Sequence, residues 1–316
     1  MKSRGREIVL LLVIVGLAVV GELSNSSFFS FRNITALFEN TAVIVLVVIG
    51  ESLVIINGFG HIDLSVSSIY TVSAVTSAEL AAKGVSMFLV VPWSVAVGVA
   101  LGALNGIVTV EFGIPSLITT LGTMIGWEGF ILWWTGGMWI ANLPDSWQIG
   151  SYKIASISVA TWLGFLVSIV LVFLARRAAF FRKFYVCGSN ASAASFVGIS
   201  TKRTIFHALI LSGAFSGFSG MLSASRFFSV TSNIGSNLTL PVIASAVIGG
   251  TSIFGGKGRI EGAILGTFLL VEILSVTVFL NIGAVWNEAI EGVVILVAII
   301  SDVLREKRNI RGIGVK

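Results

Sequence analysis

Long apolar runs dominate this 316-residue chain and restrict it to structures that satisfy their own backbone hydrogen bonds. The runs occupy residues 8–21, 41–56, 64–82, 86–110, 114–134, 159–175, 204–224, 241–254, 261–280 and 284–303. Most reach the roughly 17–25 residues that a helix needs to cross a bilayer. A helix pairs its own backbone groups, so the pattern predicts an all-α polytopic membrane protein with about ten transmembrane helices. The short runs 8–21 and 241–254 leave eight or nine crossings open.

The composition is also that of a membrane protein. Hydrophobic residues make up 55% of the chain and charged residues 11%, with a mean hydropathy of +0.99. Soluble domains average about 25% charged residues. The first run follows basic residues as a secretory signal does, but no small-x-small cleavage site leads into a soluble domain, so we expect it to be the first crossing. We therefore expect one integral-membrane unit over residues 1–316.

The basic residues test this count independently of hydropathy. With ten crossings and a cytoplasmic N-terminus, sixteen of the twenty Lys and Arg residues fall on cytoplasmic segments. Those near the termini are Lys2, Arg4, Arg6, Arg305, Lys307, Arg308, Arg311 and Lys316. The positive-inside rule then predicts that both termini are cytoplasmic. The net charge of +5 is accounted for by topology and lipid headgroups, which disfavours nucleic-acid binding.

The outer segment 135–158 is one of two connections that stand out. It carries Trp139, Trp147 and Tyr152 together with Pro144 and Asp145. Aromatic residues of this kind are enriched where a membrane protein meets water. We expect this segment to act as an interfacial lid or a docking face.

The inner segment 176–203 is the second. Ser189 or Asn190 can cap a short helix over residues 191–197, and Gly198 can end it. A capped, Ala-rich helix between two basic clusters indicates an element that contacts something at the cytoplasmic surface. The alternative is an amphipathic connector that lies on lipid headgroups.

Glycines at four-residue spacing predict where helices approach closely. They are Gly98, Gly102 and Gly106, Gly122 with Gly126, Gly213 with Gly217, and Gly262 with Gly266. Small residues at this spacing allow two helix backbones to touch. These glycines indicate packing, and by themselves they say little about transport.

The glycine-rich stretch VIGGTSIFGGKGRIEG, residues 247–262, raises the question of phosphate binding. A P-loop requires G-x-x-x-x-G-K-[ST] between a strand and a helix, but position 251 is Thr and Lys257 is followed by Gly258. We instead predict an inner hairpin. In it, a helix ends at Ile253–Phe254 and a turn runs through Gly255, Gly256 and Gly258, with Lys257 and Arg259 holding it at the cytoplasmic face.

Enzymatic activity has no support in the residues. With two histidines and one cysteine the chain lacks a zinc constellation, and no nucleophile elbow stands in a plausible context.

Polar side chains inside apolar runs are more informative, since each costs a few kcal/mol in lipid unless it faces protein or water. Glu51 and Glu128 are expected to be structural. Asp63 has a local alternative as the cap of a helix that begins at Leu64, aided by Ser65.

Four ordered motifs resemble those of permease subunits of bacterial sugar ABC importers of the ribose/xylose/galactose type. They are GHIDLSVSSIY (60–70), GALNGIVTVEFGIPSLITTLGTM (102–124), CGSNASAASFVGIS (187–200) and VIASAVIGGTSIFGGKGRIEGAILG (242–266). The resemblance implies a second permease subunit, identical or related, and an extracytoplasmic sugar-binding protein. It also implies a cytoplasmic ATPase of two fused cassettes that holds ATP and Mg, so this chain needs no cofactor and lies in the bacterial inner membrane.

The resemblance also assigns site residues. The family's ATPase-coupling segment corresponds to Gly188, Ser189, Asn190, Ala193, Ala194, Gly198 and Ile199. Ser189 replaces the usual second glycine of that motif. His61 replaces a glycine before Ile62–Asp63, which puts a titratable side chain at a turn and can mark a divergent substrate.

A sugar path should offer amide, hydroxyl and indole groups for hydroxyls and apolar ring faces. Our candidates are Asn57, Asp63, Asn105, Thr119, Thr120, Thr123, Trp127 and Trp133. Related permeases carry nucleosides, autoinducer-type furanosides or branched-chain amino acids, but the motifs favour sugar. An ion-coupled secondary transporter is the competing class, although it leaves the capped inner helix unexplained and no internal repeat is evident.

Overall fold

The computed structural model describes residues 2–58, 60–283 and 285–313, with side chains described over 5–58, 60–283 and 285–304. The helices are α1 (Lys2–Ser24), α2 (Phe31–Ile56), α3 (Val66–Ala82), α4 (Met87–Glu111), α5 (Ser116–Thr135), α6 (Val159–Arg177), α7 (Ala179–Ser189), α8 (Ala191–Phe196), α9 (Thr201–Ala224), α10 (Thr239–Gly249), α11 (Ile260–Phe279) and α12 (Val285–Ile313). A 3₁₀ helix, Asp145–Gly150, and the hairpin of β1 (Lys153–Ile154) and β2 (Ile157–Ser158) separate α5 from α6. Each apolar run therefore falls on a helix.

The terminal part of the charge argument cannot be followed in the structure. The side chains of Lys2, Arg4, Arg305, Lys307, Arg308 and Arg311, and the whole of Lys316, lie outside the described residues.

Fewer helices than the predicted ten meet strict criteria of length and apolarity for crossing a membrane. Within the described ranges, six helices are long and apolar enough to span a membrane: Gly5–Ser24, α2, α4, α6, α9 and α11. This supports a polytopic membrane protein, but the count of ten is not confirmed. The 11 residues of α10 illustrate the difference, because they rise only about 16 Å, roughly half the hydrocarbon thickness.

Helix α9 packs against α4 through the predicted glycines, and it also contacts α2 and α3. A Cβ atom on Gly98 would overlap the carbonyl oxygen of Gly213, and one on Gly213 would overlap that of Gly98. In the same way α11 approaches α10, where Gly262 touches the Gly249 carbonyl and Gly266 that of Ser245. Close backbone approach at these sites is confirmed.

Gly122 and Gly126 on α5 behave differently. A Cβ atom at either position would have no described atom within 4 Å. The prediction that this pair packs against another helix is therefore wrong for the described part of the chain. The physical reason is that α5 lies at the edge of the bundle and turns its glycines outward.

The outer segment is fastened by one aromatic residue and exposes others. Trp147 is fully buried, and its Nε1–H donates to the Phe227 carbonyl at 3.2 Å. Ile140 exchanges two backbone hydrogen bonds with Val230. Trp139 and Tyr152, in contrast, are 69% and 67% exposed. The segment is thus fixed to the α9–α10 connection and presents aromatic surface outward.

Candidate functional site

The coupling segment contains the predicted short helix. The Asn190 side chain caps α8 by accepting the Ala193 N–H at 2.9 Å, and Gly198, at φ +78°, follows its end. The Ile199 N–H donates to the Ala194 carbonyl at 3.0 Å. The helix ends at Phe196, one residue before the predicted limit.

Exposure along α8 is uneven. Ala194 is fully buried, whereas Ala193 is exposed. Phe196 and Val197, at the C-terminal end of α8, are 89% and 70% exposed. These two apolar side chains are therefore free to make a contact outside the chain.

Helix α7 was not predicted. Its Phe181, Phe184 and Cys187 side chains are buried, so α7 anchors the segment that leads into α8. Apolar residues at three-residue spacing within 179–189 were the signal that could have revealed it. Burial raises the pKa of the Tyr185 phenol on the same helix, and the nearby Glu261 carboxylate adds to the effect.

The inner hairpin begins earlier than predicted. Helix α10 ends at Gly249, not at Ile253–Phe254, because Gly250 adopts a left-handed conformation at φ +109°. The Thr251 N–H then donates to the Ala246 carbonyl at 3.0 Å, which closes the last turn. An apolar run alone does not reveal such a stop.

Beyond α10 the chain folds into a tight loop. The Ser252 N–H donates to the Lys257 carbonyl at 2.9 Å, and the Gly255 N–H to the Ser252 carbonyl at 2.9 Å. The Asp302 carboxylate of α12 accepts from the Ser252 hydroxyl and the Ile253 N–H, each at 3.2 Å. The loop is thus held from within and by the C-terminal helix.

Four glycines bring this hairpin, the coupling segment and the end of α2 together, and we call them the glycine junction: Gly58, Gly188, Gly255 and Gly256. The Gly256 N–H donates to the Ile56 carbonyl at 2.8 Å. A Cβ atom on Gly188 would overlap that same carbonyl oxygen, and one on Gly255 would overlap the Gly58 Cα. Gly58, Gly255 and Gly256 also have positive φ, which favours glycine.

An open cavity of about 620 Å³ adjoins the junction. Its walls come from both elements and include Gly60, Asn190, Ser192, Ile253 and Phe254. The coupling segment and the hairpin therefore form one continuous surface.

Ion pairs fasten the hairpin to its surroundings. The Arg259 Nη1 atom lies 2.6 Å from Glu7 Oε1, and its Nη2 atom lies 3.4 Å from Glu261 Oε1. Arg176 also pairs with Glu261. Arg6 of α1 donates to the Val247 and Ile248 carbonyls at the end of α10. The N-terminal helix thus holds the hairpin from a second side.

A buried polar network, here the polar centre, surrounds Asp63. It comprises Glu51, Asp63, Ser65, Asn105, Thr120, Thr123 and Ser212. Asp63 accepts the Ser65 N–H and hydroxyl on Oδ1 and the Ser212 hydroxyl, at 2.8 Å, on Oδ2. Its own N–H donates to Glu51 Oε1 at 3.1 Å. Asp63 precedes α3, which begins at Val66, so it stabilises the turn before the helix rather than capping a helix that starts at Leu64.

Three other path candidates join the same network. Asn105 Nδ2 donates to Ser65 Oγ at 2.7 Å, and the Thr123 hydroxyl donates to Asn105 Oδ1 at 2.8 Å. Thr120 Oγ1 accepts the Leu64 N–H at 3.0 Å. Ser65 was predicted only as an aid to the Asp63 cap, and Ser212 was not predicted, since a serine in a helix pattern is also compatible with simple packing.

The remaining path candidates lie outside this network. The side chains of Asn57 and Thr119 are buried and make no hydrogen bond within the described residues. Trp127 is partly buried against Phe130, while Trp133 is 78% exposed. A role in translocation remains a prediction for all eight candidates.

His61 links the segment after α2 to α5. Its Nδ1 atom lies 2.9 Å from Ser116 Oγ. Burial lowers the pKa of the His61 imidazole, so the neutral form is favoured. His61, which replaces a glycine of the family motif, thus makes a side-chain contact with Ser116.

Comparison with known proteins gives one family over most of the chain. Residues 33–299 match the family described as branched-chain amino acid transport system / permease component. Among its relatives are the autoinducer 2 import system permease proteins LsrC of Escherichia coli (strain SMS-3-5 / SECEC) and Salmonella typhimurium (strain LT2), each 33% identical over 95% of this chain and 87% or 86% of the relative. The Yersinia pestis (strain Pestoides F) protein is 34% identical over 95% and 85%. No solved structure matches the chain.

These matches confirm the resemblance to importer permeases that the four motifs indicate. Proteins of this family are membrane-embedded permease subunits of transport systems. The match covers the coupling segment, the inner hairpin and the polar centre together. The chain belongs to the permease component family of branched-chain amino acid-type transport systems.

Proposed function

We propose that this chain is the translocating permease of an ATP-driven importer for a monosaccharide or a related furanoside. The motifs favour ribose-, xylose- or galactose-like sugars, and the name of the relatives, an autoinducer 2 import system, adds the furanoside class. The glycine junction carries the proposal. It joins the coupling segment to α2 through backbone contacts, with no flexible side chain between them.

Force from the ATPase has a short route through this junction. Closure of two ATP-loaded cassettes would displace α8, and the contact of Gly188 with Ile56 would pass that displacement to the end of α2. Glu51, five residues earlier, contacts Asp63 in the polar centre. ATP thereby shifts the population between inward-open and outward-open states. ATP and Mg belong to the ATPase of two fused cassettes, and this chain holds no cofactor.

The same contacts support the proposed topology. The end of α2, the coupling segment and the hairpin are all cytoplasmic if ten helices cross and the N-terminus is inside, and their meeting at one junction supports that arrangement. The outer segment then faces the opposite side. Its exposed Trp139 and Tyr152 suit a docking face for the extracytoplasmic binding protein. A second permease subunit, identical or related, completes the pathway.

The polar centre and the side chains around it suit weak binding of a neutral, hydroxyl-rich solute. Asn57 and Thr119 have unsatisfied polar atoms, which are costly when buried and can be satisfied by substrate hydroxyls. The Thr123 hydroxyl already donates to Asn105, and Thr120 already accepts the Leu64 N–H. These side chains would therefore fix the shape of the path. Weak binding is sufficient, because a binding protein delivers the substrate and release must be fast.

The test is substrate-stimulated ATP hydrolysis by the chain reconstituted with its ATPase and binding protein. Phe196→Asp should reduce stimulation at least tenfold, because it removes an 89% exposed apolar contact without disturbing the fold. Ser195→Ala, an exposed neighbour on α8, is the matched control. Ala194→Arg is a poorer choice since Ala194 is buried and the substitution would disrupt α8 itself. Full stimulation in the Phe196 variant would refute the coupling assignment.

Transport into liposomes that contain only this chain distinguishes an ion-coupled secondary transporter from the permease of an ATP-driven importer. An ion-coupled carrier would accumulate solute under a proton or sodium gradient, whereas the importer permease should show no uptake without its ATPase. A panel of pentoses, hexoses and furanosides, titrated against the cognate binding protein, would then identify the substrate.

A further inference from the structure

A cavity of about 430 Å³ lies between α7 and the start of α9, apart from the glycine junction and the polar centre. Its lining includes Lys183, Phe184, Ser200, Arg203 and His207, together with residues 197–199 at the end of the coupling segment. We call it the basic pocket. The coupling and transport roles described above do not use these cations.

The electrostatics of the basic pocket favour an anion. Lys183 and Arg203 are exposed, and neither makes an ion pair among the residues that the structure describes. Ser200 caps the 24-residue α9, whose first turn contains no acidic residue. Free N–H groups and the helix dipole at such an N-terminus add to the positive potential. Lys and Arg together with these groups match the oxygens of a phosphate.

A second cavity of about 330 Å³ continues the pocket and shares Ser200 and Arg203 with it. Its walls include Ile107 and Val110 of α4. Ile107 is 45% exposed and belongs to a helix long and apolar enough to span the membrane. Glu111 is the acidic residue that lines this part, next to Arg203 and Lys202. The cations are therefore connected to an outward apolar surface.

The connection between the cations and the apolar surface of α4 distinguishes between two kinds of ligand for the basic pocket. An acidic segment of a protein partner would use the cations but not the apolar wall of α4. A phospholipid uses both, because its phosphate lies at the membrane surface while an acyl chain follows the apolar helix face. Basic pockets between helices on the cytoplasmic side are known to bind anionic headgroups.

We propose that the basic pocket binds the phosphate of an anionic phospholipid, with an acyl chain along the exposed face of α4 near Ile107. Lys183 and Arg203 contact the phosphate oxygens, and the N-terminus of α9 and Ser200 complete the site. The bound lipid fills the space between α7 and α9 and so braces the coupling segment against the bundle.

The experiment uses the full chain in a neutral detergent, with phosphatidylglycerol as the probe. Lipid retention is measured by native mass spectrometry and stabilisation by the thermal unfolding midpoint. Wild type should retain phosphatidylglycerol over phosphatidylcholine and unfold at a higher temperature with it. Lys183→Gln/Arg203→Gln should weaken retention at least tenfold and lose the temperature shift. Arg182→Gln, an exposed cation on α7 that does not line the pocket, should behave like wild type.

The lipid-free unfolding midpoint of the double variant checks its fold, and Lys183→Arg, which keeps the charge, should retain binding. Three outcomes overturn the proposal. The double variant could retain the lipid as wild type does. Inorganic phosphate at the same concentration could give the full stabilisation, which would indicate a free-anion site. Finally, the double variant could keep the lipid but lose binding of the ATPase, which would assign the cations to an acidic protein segment.

Discussion

The glycine junction and the exposed face of α5 both contain several glycines, yet these glycines have different surroundings. In the junction, Gly188 and Gly255 touch backbone atoms from other segments, and a Cβ atom has no room. On α5, a Cβ atom on Gly122, Gly126 or Gly129 would have no described atom within 4 Å. The junction glycines are therefore required by the chain itself. The α5 glycines are available for contacts outside the chain.

The Glu128 carboxylate is a second difference between α5 and the glycine junction. Glu128 is exposed on α5, within the predicted apolar run, although a carboxylate facing lipid costs a few kcal/mol. A face with glycines and an unburied carboxylate suits a protein neighbour or a water-filled passage better than lipid. This supports the proposed second permease subunit, which would bring its own surface to α5.

The largest expected effect is at the junction. Gly188→Val would drive its side chain into the Ile56 carbonyl and the Gly256 N, so the coupling segment must separate from α2. We expect a loss of about 1–3 kcal/mol or more in the free energy of unfolding, together with loss of ATPase stimulation. Gly16→Ala, at a helical glycine where a Cβ atom would have no described atom within 4 Å, is the matched control and should leave both unchanged. Wild-type stability of the Gly188 variant, measured by thermal unfolding in detergent, would contradict the observed packing.

A smaller effect is expected on α5. Gly126→Leu should change the free energy of unfolding of the isolated chain by no more than about 0.5 kcal/mol, since the position is open. It should weaken association with the second permease, as measured by cross-linking or sedimentation. Ile169→Leu on the exposed face of α6 serves as control. Destabilisation of the isolated chain would indicate that this face is used internally.

The smallest effect concerns His61, which connects the two regions through Ser116 at the start of α5. Burial lowers the folded-state pKa below the value of about 6.5 for an unfolded chain, so the unfolded state binds the proton more tightly. Stability is therefore fully present above about pH 6.5 and is lost as the pH falls toward the lowered pKa. Unfolding midpoints between pH 7.5 and 5 should show this slope, and His61→Asn should reduce it.

Much of the secondary structure could be predicted because its causes are local. Hydrophobic runs located every described helix except α7 and α8, and the cap chemistry of Asn190 located α8. The end of α10 was misjudged because the residues after Gly250 remain apolar, while the left-handed glycine stops the helix. Helix α7 was missed because it has only 11 residues and because Arg182 and Lys183 interrupt its apolar pattern.

The candidate site divides in the same way. Asp63, Asn105, Thr120 and Thr123 could be selected as costly polar residues in apolar runs, but their grouping could not. Ser212 reaches Asp63 across 149 positions of the chain, and no sequence pattern indicates that contact. Trp133 was selected on the same grounds as Trp127, yet it is largely exposed.

The sequence by itself determined that this chain is a helical membrane protein with a capped inner helix, because apolar length and capping depend on residues a few positions apart. It also carried the motifs that identify the permease family. Only the tertiary structure decided that Gly188, Gly256 and the end of α2 meet, and that the α5 glycines do not pack within the described chain. Such contacts join segments more than a hundred residues apart, and their geometry depends on how all the helices pack.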